Sequence, residues 1–299
     1  MMVRFIKIFK KLFSADAPKK IARRIKIFGI ARSVVRVNPL FRAFSRQLRL
    51  RPVRLGVAHT VVVVGADGGI GEAVVRQLLK QGCTVIGTYR TRSPSSLAGE
   101  GLRLLRMDIT SVHDVCEVYS YLRQAGVQAD IILVAAGFSS KLDYHAALGD
   151  GPLDEDALKQ ESKDILGSFE VNALGPYLAI RRFAALIPAT SHPRHFVPQI
   201  CLLSSSIGTM HNELYGGMYA YRTGKGALHA LAMAMYCDLN LIGRVGLLIL
   251  GPGNVATKMN PGGKMSPEEA AREIIRNIEY SARKARFQFL GVGGKRIPW

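Results

Sequence analysis

Residues 60–80 read TVVVVGADGGIGEAVVRQLLK, and this stretch decides the fold. TVVVV is a β-branched run of strand length, and EAVVRQLLK has the spacing of a helix. Between them lie Gly65, Gly69 and Gly71, with Asp67 and Ile70. Glycines there adopt conformations barred to other residues, let an anion approach the backbone and let the helix pack on its strand. The helix N-terminus then faces a pyrophosphate. The spacing is G-x-x-x-G-x-G, so the commoner G-x-G-x-x-G fingerprint fails, while the strand and helix context holds. A P-loop is excluded, because neither residues 224–226 nor 294–296 have the Ser/Thr and upstream Gly it needs.

Working outward, the same alternation continues. Strands are expected at 60–64, 84–88, 102–107, 130–135, 198–204, 245–250 and 287–290, and helices at 70–81, 111–125, 154–187 with a break, 217–241 and 266–285. The last helix opens Ser266-Pro267-Glu268-Glu269, a capping residue followed by Pro and early acids. This is an α/β pattern: a doubly wound, Rossmann-like parallel sheet of about seven strands in a single domain, with ligands at the carboxyl ends of the strands. Composition agrees, since 48% hydrophobic and 21% charged residues suit a packed core rather than a disordered chain. Cys83, Cys116, Cys201 and Cys237 lie at least 33 residues apart, with no Cys/His cluster, so neither a disulfide framework nor a zinc or other metal site is indicated.

The net charge of +19 is unevenly spread. Residues 1–56 hold sixteen Lys and Arg against one acid, Asp16, for a net +15, which leaves +4 for residues 57–299. The boundary divides a basic leader, 1–56, from the α/β body, 57–299, which is expected to be a nucleotide-binding domain. MMVRFIKIFKKLF at 1–13 and KIARRIKIFGIAR at 20–32 set cations against apolar residues at helical spacing. Lys7 and Lys10 interrupt the run a secretory signal needs. The leader is Arg-rich and acid-poor like a mitochondrial transit segment, and the same physics would hold it on an anionic membrane surface. Mitochondrial targeting is the expectation, with a cytoplasmic or peripheral membrane location as the alternative. No basic module with interleaved aromatics marks the body as a specific nucleic-acid binder.

Cofactor choice is read at the end of the second strand, Thr88-Tyr89-Arg90-Thr91-Arg92. The carboxylate that would bind the 2′-hydroxyl of NAD(H) is missing there, and Arg90 suits the 2′-phosphate of NADP(H). Further on, Tyr221 and Lys225 stand four apart on one helical face. A second such pair, Tyr280 and Lys284, reads as surface. Company separates the two: Leu203-Ser204-Ser205-Ser206 precedes the first pair, and Phe169-Glu170-Val171-Asn172 comes earlier still.

In this order the motifs resemble the short-chain dehydrogenase/reductase family across essentially all of residues 57–299. VGADGGIG at 64–71 is similar to the family's glycine motif. Asp108-Ile109 looks like its adenine-contacting pair, and Val134-Ala135-Ala136-Gly137 stands where NNAG is usual. The segment 251–257 falls on its later PG motif, with Pro252, Gly253, Val255 and Thr257. Asn172, Ser205, Tyr221 and Lys225 match the family's catalytic Asn, Ser, Tyr and Lys. VNALGP, YRTGKGAL and the terminal GKRIPW look most like the C-factor-like branch of NADPH-dependent carbonyl reductases.

The resemblance implies hydride transfer between NADP(H) and a small carbonyl or alcohol substrate. Tyr221 would be the general acid/base and Lys225 would hold the ribose and favour the phenolate. Ser205 would bond the substrate oxygen, and Asn172 would kink its helix beside a relay water. A homodimer or homotetramer through the helices at 154–187 and 217–241 is also implied. Three departures stand out. Val64 replaces a Thr and Val134-Ala135 replace two Asn, so backbone or water must meet those roles or leave them unmet. Ser205 is 16 residues before Tyr221, a longer spacing than is common, so Ser204 and Ser206 are alternatives. The loop 209–218 carries Met210, Leu214, Tyr215 and Met218, apolar residues that would line a substrate pocket or cover the sheet edge. The alternative function is a catalytically weak or vestigial signalling protein of the same fold.

Overall fold

A computed structural model of the chain describes residues 53–140, 154–188, 196–211, 216–242 and 245–299. The leader helices expected at 1–13 and 20–32, and Leu214 and Tyr215, lie outside those residues. Seven strands form one sheet: β1 (Thr60–Val64), β2 (Thr84–Tyr89), β3 (Leu102–Arg106), β4 (Ile131–Val134), β5 (Gln199–Leu203), β6 (Gly246–Leu250) and β7 (Phe287–Leu290). They run in the order β3-β2-β1-β4-β5-β6-β7, every pair parallel. The chain moves outward from β1 to β3 and then crosses to β4 on the other side of β1. That reversal opens a crevice at the carboxyl ends of β1 and β4.

The helices are α1 (Gly69–Lys80), α2 (Val112–Gln124), α3 (Glu155–Phe169), α4 (Gly175–Phe183), α5 (Tyr219–Ile242) and α6 (Pro267–Ser281). Because strand side chains alternate, the β1 valines divide between two cores. Val61 and Val63 join Val74, Leu78 and Ile274 of α1 and α6. Val62 and Val64 join Leu122, Phe183 and Leu228 of α2, α4 and α5. All four are at most 1% exposed, and full burial of one such side chain contributes about 1.5–3 kcal/mol. Both faces are covered, which is why this strand carries no polar alternation.

Helix starts follow the chemistry read in the sequence. The Ser111 hydroxyl accepts from the Asp114 amide at 3.1 Å, and Ser266 and Glu269 form a reciprocal capping box ahead of α6. That helix stops at Ser281, short of the expected 285, since the Ala282 carbonyl accepts from the Val197 amide at 2.6 Å and the chain turns toward β7. Exposed Lys284 therefore leaves the helical face of Tyr280, which is 73% exposed. Upstream of β1, Leu55 is buried and its amide donates to Glu279 Oε1 at 3.0 Å. Among the described residues no helix is long and apolar enough to cross a membrane.

Between α3 and α4 the helix widens into a π turn at Glu170–Leu174, the break expected within 154–187. Pro176 has no N–H to return to the Asn172 carbonyl, so a regular turn cannot close there.

Candidate active site

At the end of β1, Gly65 takes φ +88, and a Cβ on it would lie 2.7 Å from the Ala136 nitrogen. A Cβ on Gly71 would run into the Gly65 carbonyl oxygen. The turn is therefore a bare backbone cradle that only glycine permits. Gly68, at the N-cap of α1, brings no side chain to the helix N-terminus, so its partial positive charge faces outward over exposed Gly69. Ile70 is half-buried just inside the helix.

The role left open by Val64 is met by backbone and by a neighbouring strand. The Val64 carbonyl accepts from the Ala135 and Ala136 amides at 2.8 and 3.1 Å. Thr88 Oγ1, 1% exposed on β2, accepts from the Gly65 amide at 3.2 Å. Thr88 went unread in the sequence, although a Thr closing an apolar strand was the available signal. Beside it, Asp67 Oδ2 accepts from the Arg90 amide at 3.0 Å, with both side chains exposed. A carboxylate absent from the second strand thus reaches its end from the glycine turn.

Asp108 braces the turn before α2. Its Oδ1 accepts from Thr110 N and Oγ1 at 2.9 and 2.7 Å, and its own amide donates to Asp114 Oδ2 at 2.9 Å. The hydrogen bond from that amide, then the Ser111 bond, hold the Asp114 carboxyl below its usual range. Ile109 is buried beneath Gly175, where a Cβ would lie 2.9 Å from it.

The strand ends converge at Gly137. A Cβ there would lie 3.4 Å from Asn172 Oδ1, 3.7 Å from Lys225 Nζ and 4.0 Å from Met259 Cε. Asn172 sits in the π turn, fully buried, and grips the backbone of Phe138 with both ends of its amide. Its Oδ1 accepts from Phe138 N at 3.0 Å and its Nδ2 donates to Phe138 O at 2.7 Å, with a further bond to Ser168 Oγ at 2.9 Å. Gly224 lets α5 press against this turn, since a Cβ there would lie 2.6 Å from Ser168 Oγ and 3.0 Å from Asn172 Cβ.

On α5, Lys225 is 4% exposed, with Nζ donating to the Leu203 carbonyl at 3.0 Å and lying 5.6 Å from the centre of the Tyr221 ring. Burial lowers its ammonium to about 8. Ser205 opens the short helical turn Ser206–Gly208 and accepts from the Ile207 amide at 3.2 Å, which leaves its own O–H to donate elsewhere. Gly208 lies directly on the Lys225 backbone. Of the alternatives, Ser206 is exposed, while Ser204 is 3% exposed and lies 2.7 Å from His229 Nε2. His229, another residue unread in the sequence, is lowered to about 4 by burial and then by the Lys225 charge, against a smaller opposing pull from the Gly208 backbone.

After β6, Gly251 and Pro252 are half-buried, Gly253 takes φ +90, and residues 254–265 double back. Val255 is buried, and the Ala256 amide donates to the Met265 carbonyl at 2.8 Å. Thr257 Cγ2 would lie 3.2 Å from a Cβ on Gly69, which brings this loop to the glycine turn. The structure thus joins Ala136, Gly137, Asn172 and Lys225 on one side and Gly69 and Thr257 on the other, while Asp108 is engaged only within its own turn.

Residues 59–266 match the family model of short chain dehydrogenases. A 1-hydroxy-2-glutathionyl-2-methyl-3-butene dehydrogenase of Rhodococcus sp. is 30% identical over 246 residues, 80% of this chain and 99% of that protein. Two solved structures share the fold, each covering 81% of this chain and 99% of its own. One is a short-chain dehydrogenase/reductase from Burkholderia multivorans with bound NADP (TM-score 0.69, 24% identity), the other the carbonyl reductase Sniffer of D. melanogaster (TM-score 0.70, 21% identity). A family model spanning more than half the chain, over a glycine cradle and a buried lysine at the sheet's carboxyl edge, leads to one conclusion: the chain belongs to the short-chain dehydrogenase family of nicotinamide-dependent oxidoreductases.

Proposed function

We propose that the chain transfers a hydride between NADP(H) and a carbonyl or alcohol substrate, as a carbonyl reductase or alcohol dehydrogenase, with Tyr221 as general acid/base. The observation that carries this reading is the setting of Lys225, buried, tied to Leu203 and one turn from Tyr221. A nicotinamide dinucleotide suits the residues present. The cradle at Gly65 and Gly71 leaves backbone where a Cβ would otherwise stand, and Lys225 and Gly137 adjoin at the far end. When bound, the cofactor supplies the hydride equivalent. Tyr221 gives its phenolic proton to the substrate oxygen during reduction and takes it back during oxidation. Lys225, mostly protonated at neutral pH, favours the phenolate left behind. Ser205 donates its O–H to the same oxygen, and Asn172 holds Phe138, and so Gly137, against Lys225. Arg90 selects NADP(H) over NAD(H) by pairing with the 2′-phosphate.

The test is NADPH turnover against aldehydes, ketones and, after the Rhodococcus relative, a glutathione-conjugated alcohol with NADP. Tyr221→Phe should lose about 10²–10⁴-fold. A wild type that binds NADPH yet matches Tyr221→Phe on every substrate would overturn the reading.

Exposed Leu158, Leu166 and Phe169 on α3, with Met233 and Leu241 on α5, support association into a homodimer or homotetramer through these helices, measurable by light scattering. For the basic leader, targeting to mitochondria is the preferred reading and membrane-surface attachment the second. Fractionating a version lacking residues 1–56 tests both, and an unchanged location would rule out targeting.

A further inference from the structure

His229 has no part in the chemistry above, yet it lies at the junction of three elements. Tyr221, Lys225 and His229 follow one another at intervals of four along a single stripe of α5. Lys225 and His229 take hold of successive residues at the end of β5: Lys225 Nζ bonds the Leu203 carbonyl at 3.0 Å, and His229 Nε2 lies 2.7 Å from Ser204 Oγ. The next residue is Ser205. On its outer side the imidazole meets Phe289 of β7 at 5.0 Å between ring centres and Trp299, edge to face, at 5.8 Å. Trp299 is itself anchored, stacked on Phe287 at 4.9 Å and 6°, while the Ile297 amide donates to the Phe289 carbonyl at 3.0 Å. The ring is 7% exposed, and the Lys225 ammonium is a charged neighbour. A cation there would be buried against another cation, so the ring is neutral and its Nε2 can accept a hydrogen bond from the Ser204 hydroxyl.

We propose that His229 is a positioning residue: roofed by Trp299, it accepts the Ser204 hydroxyl and thereby holds the turn that presents Ser205 to the substrate. Its kinetic consequence rests on the roles proposed above for Ser205 and Tyr221; its effect on the turn does not. The bond has reason to matter. The turn has a single short helical stretch, Ser206–Gly208, and the His229 ring meets it at both ends, Ser204 Oγ on one side and the Gly208 backbone on the other.

The test uses the whole purified chain with His229→Leu, which removes the acceptor, His229→Gln, which keeps one, and Ser204→Ala, which removes the donor. Hydrogen–deuterium exchange in residues 204–210 should speed up in His229→Leu and Ser204→Ala, return toward wild type in His229→Gln, and stay unchanged in residues 246–250. In parallel, kcat should fall about tenfold for each loss of the bond, with the NADPH KM unmoved. The Ser204→Ala/His229→Leu double variant should be no slower than the worse single one. Unchanged exchange in 204–210, or losses that multiply in the double variant, overturns the inference. Faster exchange in a protein that turns over no substrate supports the holding role and overturns the catalytic reading instead. If His229→Leu fails to fold, Ser204→Ala, the smaller change, decides by the same measurements.

Discussion

Lys225 Nζ lies 3.0 Å from the carbonyl oxygen of Leu203, so the last peptide of β5 orients the one cation buried beside Tyr221 among the described residues. Burial lowers that ammonium to about 8. The charge is therefore present at neutral pH and lost as pH rises through 8. Carbonyl reduction, followed as kcat/KM, is expected to hold steady below that point and decline above it, since the phenolate then loses its neighbouring cation. Lys225→Met should lower activity by about a hundredfold or more and remove the inflection. An inflection that persists unchanged in Lys225→Met would assign it elsewhere.

The contact between Asp67 and Arg90 gives the second prediction. Asp67 Oδ2 accepts from the Arg90 amide, placing a carboxylate at the backbone of the residue whose guanidinium is proposed to bind the 2′-phosphate. Like charge opposes the phosphate while leaving the ribose hydroxyls of NADH an acceptor. Asp67→Ser is expected to tighten NADPH binding severalfold and leave NADH nearly unchanged or weaker. Arg90→Asp should shift preference toward NADH. Titrating both cofactors against each variant measures the two ratios, and an Asp67→Ser protein with weaker NADPH binding would contradict this account.

Features with short-range causes are legible in the sequence, and features made by register are not. The seven strands, the glycine cradle and the Tyr221/Lys225 stripe rest on runs or spacings within a few residues, so they can be read directly. Thr88 to Gly65, Asp67 to Arg90 and Ser204 to His229 each join groups 23 to 25 residues apart. The first two exist because β1 and β2 pair with Val64 opposite Thr88, a register no local pattern states. The third needs α5 laid across the end of β5, so His229 in isolation reads as an ordinary polar residue of a helix. The break at Asn172 is half legible: Pro176 forbids a regular turn, but the grip on Phe138 appears only once β4 stands alongside.

Gly71 and Gly167 should respond oppositely to alanine. A Cβ on Gly71 meets the Gly65 carbonyl, which is backbone and cannot swing aside. Gly71→Ala is expected to cost about 1–3 kcal/mol or more of stability and to weaken cofactor binding by at least tenfold. Gly167 lies within α3, and a Cβ there meets nothing within 4 Å. Gly167→Ala should stabilise the fold by about 0.5–1 kcal/mol, the helix-propensity difference, with activity unchanged. Thermal melts and NADPH titrations of both variants check the signs.

His229 makes the fold sensitive to mild acid. Its folded value of about 4 lies below the ordinary 6.5, so between those values the unfolded chain binds a proton that the folded chain refuses. Stability from this group is complete above about pH 6.5 and is lost as pH falls toward 4. At pH 5 the loss is on the order of 2 kcal/mol, from 1.36 kcal/mol for each pH unit below 6.5. Trp299 is the chain's single tryptophan and meets the ring edge to face at 5.8 Å, so its fluorescence follows denaturant unfolding from beside the group in question. Wild type should lose stability between pH 7 and pH 5, while His229→Gln, with no proton to take up, should lose less by about that amount. Other groups titrate in both proteins and cancel in the difference. Equal losses in the two would mean that His229 keeps its ordinary titration in the folded chain, and that the ring is more open to water than its packing against Phe289 and Trp299 requires.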